Sequence, residues 1–222
     1  CSPCLKSPRV DPCDTRMLGS TSTALARIGF FGGSFDPIHN GHLRLATQAL
    51  EQAALDTLLL CPAYHAPLRS EKPFFKATDR LAMLERIALE HARIEVFPHE
   101  ILQGRVCFTR DTLLEVAKKY PGTEILLLLG ADQFAKLPQW KFIDELLDMV
   151  TFLVFPRSSD EMASVPPLPE IKFERMNNEL IDLSSTIVRE KIRNGQPVRN
   201  DIPRPAYDYL EKHSLLEPSP AP

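Results

Sequence analysis

His39 and His42 stand three residues apart at the end of the run Gly32-Gly33-Ser34-Phe35-Asp36-Pro37-Ile38-His39-Asn40-Gly41-His42. On a helix, residues at that spacing share a face. Imidazole donates hydrogen bonds near neutral pH, and phosphate oxygens accept them well. The two glycines lack a Cβ, so main-chain N–H groups can come close to an anion. Together these residues describe a site for a nucleoside triphosphate. A Gly-Gly pair before a helix also makes a plain tight turn. A His pair can ligate a metal, but no third ligand stands nearby in the sequence. Neither reading accounts for the whole run, with Phe35-Asp36-Pro37 between the glycines and the histidines.

A second constellation lies far downstream, at Asp182-Leu183-Ser184-Ser185-Thr186-Ile187-Val188-Arg189. Three hydroxyl residues open a helical pattern, and Arg189 follows one turn later. Free N–H groups, hydroxyls and a guanidinium at one helix end suit an anion. Alone, the segment reads as an N-cap with a surface arginine. Beside the first run, it reads as a second phosphate cradle.

The elements that must position these groups are visible as alternating patterns from Arg27 onward. Apolar runs predict strands at Ile28–Phe31, Thr57–Cys61, Ile94–Phe97, Glu124–Gly130, Val150–Phe155 and Ile171–Arg175. The uninterrupted run Leu126 to Leu129 suits a central strand covered on both faces. Helical patterns fall at Gly41–Ala54, Thr78–His91, Thr109–Lys119, Lys141–Asp148, Leu183–Asn194 and Pro205–His213. The first puts Leu43, Ala46, Leu50 and Ala53 on one face, and Thr78-Asp79 reads as the capped start of the second. Strand–helix alternation predicts an α/β protein built on a doubly wound parallel sheet. Ligands of such sheets sit at the carboxyl ends of the strands, beside a reversal in strand order. The first run falls at the end of the first strand, where that rule puts a site.

Bulk properties bound the function. The 222 residues carry 44% hydrophobic and 25% charged side chains, an ordinary globular composition, with a net charge of −3. That balance gives no support for a nucleic-acid surface. No apolar run approaches the ~18 residues of a membrane span. The five cysteines, Cys1, Cys4, Cys13, Cys61 and Cys107, show no framework spacing and read as reduced thiols of a cytoplasmic protein. Cys1 and Cys4 form a CxxC pair with no second pair to complete a zinc site. Residues 1–26 read as an N-terminal extension outside the folded unit, a disordered tail in preference to a transit peptide. The chain opens on Cys1, the pattern of a fragment or processed form. Residues 27–213 form one domain, and 214–222 a frayed Pro-rich tail. Pro62–Phe74, with Arg69 and Lys72, and Ser158–Glu170 read as long loops.

The chain resembles the nucleotidyltransferases that carry an HxGH signature, here His39-Asn40-Gly41-His42. Within them it is most similar to bacterial-type nicotinate-nucleotide adenylyltransferases, over residues 27 to about 213. Gly32 to Pro37 is similar to that family's opening motif, and Ser184 to Arg189 to its second signature. Gly130-Ala131-Asp132 and Pro138-Gln139-Trp140 also fall where the family has them. The phosphopantetheine adenylyltransferases, which share the opening, are usually shorter. The cytidylyltransferases place an Arg before the Ser-Thr run rather than after it.

The resemblance implies a Rossmann-like nucleotidyltransferase fold and a reaction of ATP with a pyridine mononucleotide. The products are the dinucleotide and pyrophosphate. It implies His42 at the α-phosphate, His39 along the phosphate chain, and Ser184, Ser185, Thr186 and Arg189 at the β- and γ-phosphates. Catalytic work falls to His42, His39 and Arg189. Gly32, Gly33, Ser34 and Phe35 would border the triphosphate, and Gly130 and Asp132 the ribose. Asp36, Arg69, Thr109, Trp140 and Lys141 would line the acceptor side. Mg²⁺ would be held by phosphate oxygens and water, with no protein ligand. The family's Pro-His-Lys/Arg run appears here as Pro67-Leu68-Arg69, its Ser-Tyr-Thr as Cys107-Phe108-Thr109, and an earlier basic residue as Gln103. These departures cluster on the acceptor side. They leave open nicotinamide mononucleotide or another phosphorylated acceptor, and an ATP-binding regulatory protein without turnover. The sequence does not set the oligomeric state.

Overall fold

The computed structural model describes residues 25–65, 72–156, 168–179 and 182–217. Residues 1–24 of the N-terminal extension and 218–222 of the tail lie outside those residues, as do Leu68, Arg69 and most of the Ser158–Glu170 segment.

Six strands form one parallel sheet: β1 Arg27–Gly33, β2 Thr57–Pro62, β3 Ile94–Val96, β4 Glu124–Gly130, β5 Thr151–Phe155 and β6 Phe173–Arg175. Their spatial order is β3-β2-β1-β4-β5-β6. The chain winds outward from β1 to β2 and β3, then returns to the other side of β1 for β4, β5 and β6. The reversal therefore lies between β1 and β4, which pair from Arg27↔Glu124 to Phe30↔Leu127.

Alternate residues of the central strands feed two cores. Leu58, Leu60, Leu126, Leu128, Leu153 and Phe155 face one layer. That layer is closed by α1 (Asn40–Gln52), α2 (Ala77–Glu90), α7 (Ser185–Arg193) and α8 (Arg204–Lys212). Leu59, Ile125, Leu127, Leu129, Phe152 and Val154 face the other, under α4 (Thr109–Lys119) and α6 (Ile143–Met149). Each such leucine contributes roughly 1.5–3 kcal/mol by leaving water. A Cβ on mid-strand Gly29 would come within 2.6 Å of Leu55 Cδ1, so a larger residue there would have to displace that buried leucine side chain.

Arg27 ties together the amino ends of the strands. Its main-chain N–H donates to Asp56 Oδ2 at 2.8 Å and its Nε to Glu124 Oε2 at 3.0 Å. Its two terminal nitrogens donate to the Ala53 carbonyl and to Glu174 on β6.

Several expected boundaries shift. Gly32 and Gly33 belong to β1, so the turn itself is Ser34–Pro37. A Cβ on Gly33 would meet the Phe35 ring at 3.3 Å, so ring packing explains that glycine better than a left-handed backbone. Lys76 occupies the N-cap of α2, and Thr78-Asp79 lies within its first turn. The helix expected from Lys141 begins at Ile143, after Phe142 in a left-handed conformation (φ 62°). Three short elements have no counterpart in the sequence reading: α3 (His99–Gln103), α5 (Ala131–Phe134) and a 3₁₀ turn at Leu137–Gln139.

Candidate active site

The turn after β1 and the start of α7 are bonded to each other. Ser185 Oγ donates to the Pro37 carbonyl at 2.9 Å, and Arg189 Nη1 donates to the Asp36 carbonyl at 2.8 Å. Ser184 is the N-cap of α7 and accepts from the Ile187 N–H at 3.3 Å. Arg189 Nη2 also donates to Thr186 Oγ1 at 3.1 Å. Three polar groups of the second run thus have local duties: Ser184 caps, Ser185 ties, and Arg189 braces.

The histidines sit at the mouth of α1. His39 is the N-cap and His42 the third helical residue. The Asn40 N–H donates to the Asp201 carbonyl at 2.8 Å, and Asn40 Nδ2 to the Asn200 carbonyl at 2.8 Å. These bonds fix the helix entrance against the segment before α8. The imidazole rings of His39 and His42 lie 3.7 Å apart between centroids, and His42 meets the Phe35 ring edge-to-face at 5.1 Å. The His39 main-chain N–H donates to Nδ1 of His42 at 3.3 Å. An Nδ1 that accepts carries no proton, so in the neutral ring the proton sits on Nε2. His42 is thereby set as an Nε2–H donor. Phe35 holds a left-handed backbone (φ 45°), a conformation that costs a bulky residue on the order of 1–3 kcal/mol and clusters at functional sites.

A cavity of about 1330 Å³ opens at the carboxyl ends of the strands. Single-ligand pockets run to roughly 1,000 Å³, so this one has room for two substrates side by side. It is lined by Gly32–Asp36, His39, His42 and Ser184–Ile187 of the two runs with apolar Leu45, Phe155 and Leu183, by Glu100, Val106–Thr109, Gln139, Trp140 and Lys141, and by Asp132, Gln133 and Lys136 after β4.

Most of the expected residues meet here. Gly32, Gly33, Ser34, Phe35, Asp36, His39, His42, Thr109, Asp132, Trp140, Lys141, Ser184, Ser185 and Thr186 all border the one cavity. Arg189 and Gly130 do not. The Arg189 side chain is 13% exposed and engaged behind the wall, and Gly130 is the buried N-cap of α5. Asp36 borders the cavity and has a structural duty as well. Both its carboxylate oxygens accept main-chain N–H groups, from Phe74 and Phe75, each at 2.8 Å. Its carboxylate is spent on that segment, so the acceptor-binding assignment is not carried by the geometry.

Around Phe108, Lys141 Nζ lies 4.8 Å from the Phe108 ring, Phe108 meets Phe142 at 5.6 Å, and Arg110 lies over Phe142 at 4.1 Å. Trp140 is half-buried, packed on the core below while bordering the cavity above. Of the departures named from the sequence, Cys107 and Phe108 border the cavity, and Gln103 is exposed at the end of α3. Burial, reinforced by the charge of Glu100, raises the thiol pKa of both Cys61 and Cys107, so neither is a poised thiolate.

Sequence reasoning missed Arg80 and Glu100. Both are buried beside the cavity, and Glu100 Oε1 accepts from Thr112 Oγ1 at 3.1 Å. Among the described residues, no cluster of three or more His, Cys, Asp or Glu is arranged to hold a metal ion, and no helix is long and apolar enough to cross a membrane.

An anion cradle at the switch point of a doubly wound sheet, opening into a cavity sized for two ligands, defines a nucleotide-binding α/β protein. Comparisons with known proteins place it more narrowly. Residues 30–191 match the Cytidylyltransferase-like family model. A protein of Methylacidiphilum infernorum named "Probable nicotinate-nucleotide adenylyltransferase" is 32% identical over 201 residues, covering 89% of this chain and 95% of its own. A protein of the same name from Gemmatimonas aurantiaca is 36% identical, covering 87% and 94%. The fold matches that of Plasmodium falciparum nicotinic acid mononucleotide adenylyltransferase complexed with NaAD. There the TM-score is 0.67 at 18% identity, over 87% of this chain and 98% of that one. The chain belongs to the cytidylyltransferase-like nucleotidyltransferases and, within them, to the nicotinate-nucleotide adenylyltransferase family.

Proposed function

We propose that the protein transfers the adenylyl group of ATP to nicotinate mononucleotide, giving nicotinate adenine dinucleotide and pyrophosphate. The observation that carries this is the junction of the two phosphate-binding runs. Ser185 on Pro37 and Arg189 on Asp36 put His42 and Thr186 on the wall of one cavity. The relatives' names support the acceptor.

A phosphate oxygen of the mononucleotide attacks the α-phosphorus of ATP. The new P–O bond forms as the bond to pyrophosphate breaks, and the leaving group carries the electron pair away. The attacking oxygen is already anionic, so no strong base is needed. Catalysis is positioning plus stabilisation of charge on the phosphoryl oxygens. In this reading His42 Nε2–H donates at the α-phosphate and His39 along the chain. The hydroxyls of Ser184 and Thr186, with the free N–H groups that open α7, among them that of Ser185, receive the outer phosphates. Arg189 acts by holding Thr186 and the Asp36 turn in register. Thr109, Trp140 and Lys141 form the acceptor wall, and Asp132 lies where the ribose would pass.

Mg²⁺ would take its ligands from triphosphate oxygens and water. It would neutralise charge on the outer phosphates. The cytoplasm is the compartment this reading implies.

The test is pyrophosphate release with ATP and Mg²⁺ and, in turn, nicotinate and nicotinamide mononucleotides. The reading expects the nicotinate form to be preferred. Preference for the nicotinamide form would reassign the acceptor, and no release with either would end the enzyme reading.

A further inference from the structure

Arg80 is fully buried in α2, yet it carries a guanidinium. Its Nη1 donates to the Ser34 carbonyl at 2.5 Å and the Ala63 carbonyl at 2.7 Å, and its Nη2 to the Tyr64 carbonyl at 2.9 Å. Ser34 lies in the turn after β1, and Ala63 and Tyr64 follow β2. One side chain thus joins the carboxyl-end turns of two adjacent strands. Burial works against its charge, and the nearby Asp36 and Glu100 carboxylates work for it. An arginine kept in such a place must be held by what it bonds. All three bonds end on main-chain oxygens bordering the nucleotide cavity or one residue from it.

The Ser34 bond has a direct geometric result. In a trans peptide, the C=O and the following N–H point in opposite directions. The Ser34–Phe35 peptide is trans, the only cis bond among the described residues being Asp36–Pro37. With the Ser34 carbonyl held by Arg80, the Phe35 N–H points the opposite way, away from Arg80. Phe35 borders the cavity beside His42.

We propose that Arg80 is a positioning residue for adenylyl transfer: by gripping the Ser34 carbonyl it aims the Phe35 N–H at the phosphates of bound ATP. This rests on the ATP-binding reading above. A lysine at this position lacks the planar fork and cannot hold all three carbonyls in the same arrangement. Misplacing a phosphate donor by about 1 Å costs on the order of 100-fold in rate.

Two measurements test it. In Arg80→Lys, kcat per folded molecule is expected to fall about 10- to 100-fold, with folding monitored by circular dichroism. A folded Arg80→Lys enzyme whose kcat stays within about twofold of the wild type overturns the proposal. So does a loss of activity that merely tracks the loss of folded protein. The second measurement needs no variant. In the ¹⁵N-labelled wild-type protein, titration with a non-hydrolysable ATP analogue should shift the Phe35 amide downfield together with the Thr186 amide. Movement of Thr186 without Phe35 overturns the role of Arg80 and leaves ATP binding intact. Movement of neither overturns both.

Discussion

The guanidinium of Arg189 donates to the main-chain carbonyl of Asp36 at 2.8 Å, joining segments 153 residues apart in the chain. The same guanidinium braces Thr186. Arg189→Lys keeps the charge but loses the fork that makes both bonds at once. Turnover is expected to fall roughly 10- to 100-fold, with a higher KM for ATP. Steady-state kinetics with ATP varied at saturating acceptor provides the check. Loss confined to the acceptor KM would argue against a brace between the two phosphate runs.

His42 donates through Nε2 because its Nδ1 accepts from the His39 N–H. His42→Ala should lower kcat by roughly 100-fold or more, as for other lost transition-state donors. His42→Gln places an amide nitrogen near the Nε2 position and should recover part of that loss. His42→Asn, whose nitrogen lies near Nδ1, should not. Equal activity of the Gln and Asn variants would contradict the assigned nitrogen.

Asp36 separates two roles by a single substitution. Asp36→Asn keeps one accepting oxygen and turns an NH₂ toward a second N–H, of Phe74 or Phe75. A loss of about 1–3 kcal/mol in unfolding free energy is expected, with acceptor KM changed less than about threefold. Urea unfolding and kinetics on the same preparation decide between the roles. A large rise in acceptor KM without a stability loss would restore the acceptor-binding assignment.

Burial lifts the Glu100 carboxyl above the ordinary carboxylate range, against the opposing pull of the Thr112 hydroxyl, the Tyr64 N–H and Arg80. The folded protein therefore holds that proton more tightly than the unfolded chain does. The linked stability is present in full below the ordinary carboxylate value and is lost as pH rises through the raised folded value. Glu100→Gln keeps an acceptor for Thr112 and cannot titrate. The stability of Glu100→Gln relative to wild type should rise across that window and then level off. Urea unfolding at intervals from about pH 4 to about pH 8 follows it. A difference independent of pH would exclude Glu100 as the titrating group.

Much of the architecture was legible because six apolar runs alternate with amphipathic stretches, and Leu126 to Leu129 is buried on both faces. The short elements were not. Five residues at His99–Gln103 or four at Ala131–Phe134 are too few to display a 3.6-residue period. In the site, the glycine, histidine and serine runs were readable because each is compact in sequence. The work done by Asp36 and Arg189 was not, since their partners lie far along the chain. Arg80 left a signal that went unused. It shares the spacing of Met83, Leu84 and Ile87 on the buried face of α2, and a charge placed on an apolar stripe asks for buried partners.

The Arg27 cluster bears on how freely this enzyme can change. Its bonds to Asp56, Ala53, Glu124 and Glu174 secure β1, β4 and β6 where those strands begin, at the pole opposite the cavity. Anchorage and chemistry thus occupy opposite poles. Side chains lining the cavity, such as Cys107, Phe108 and Lys141, can be exchanged without loosening the framework that keeps that pole in shape.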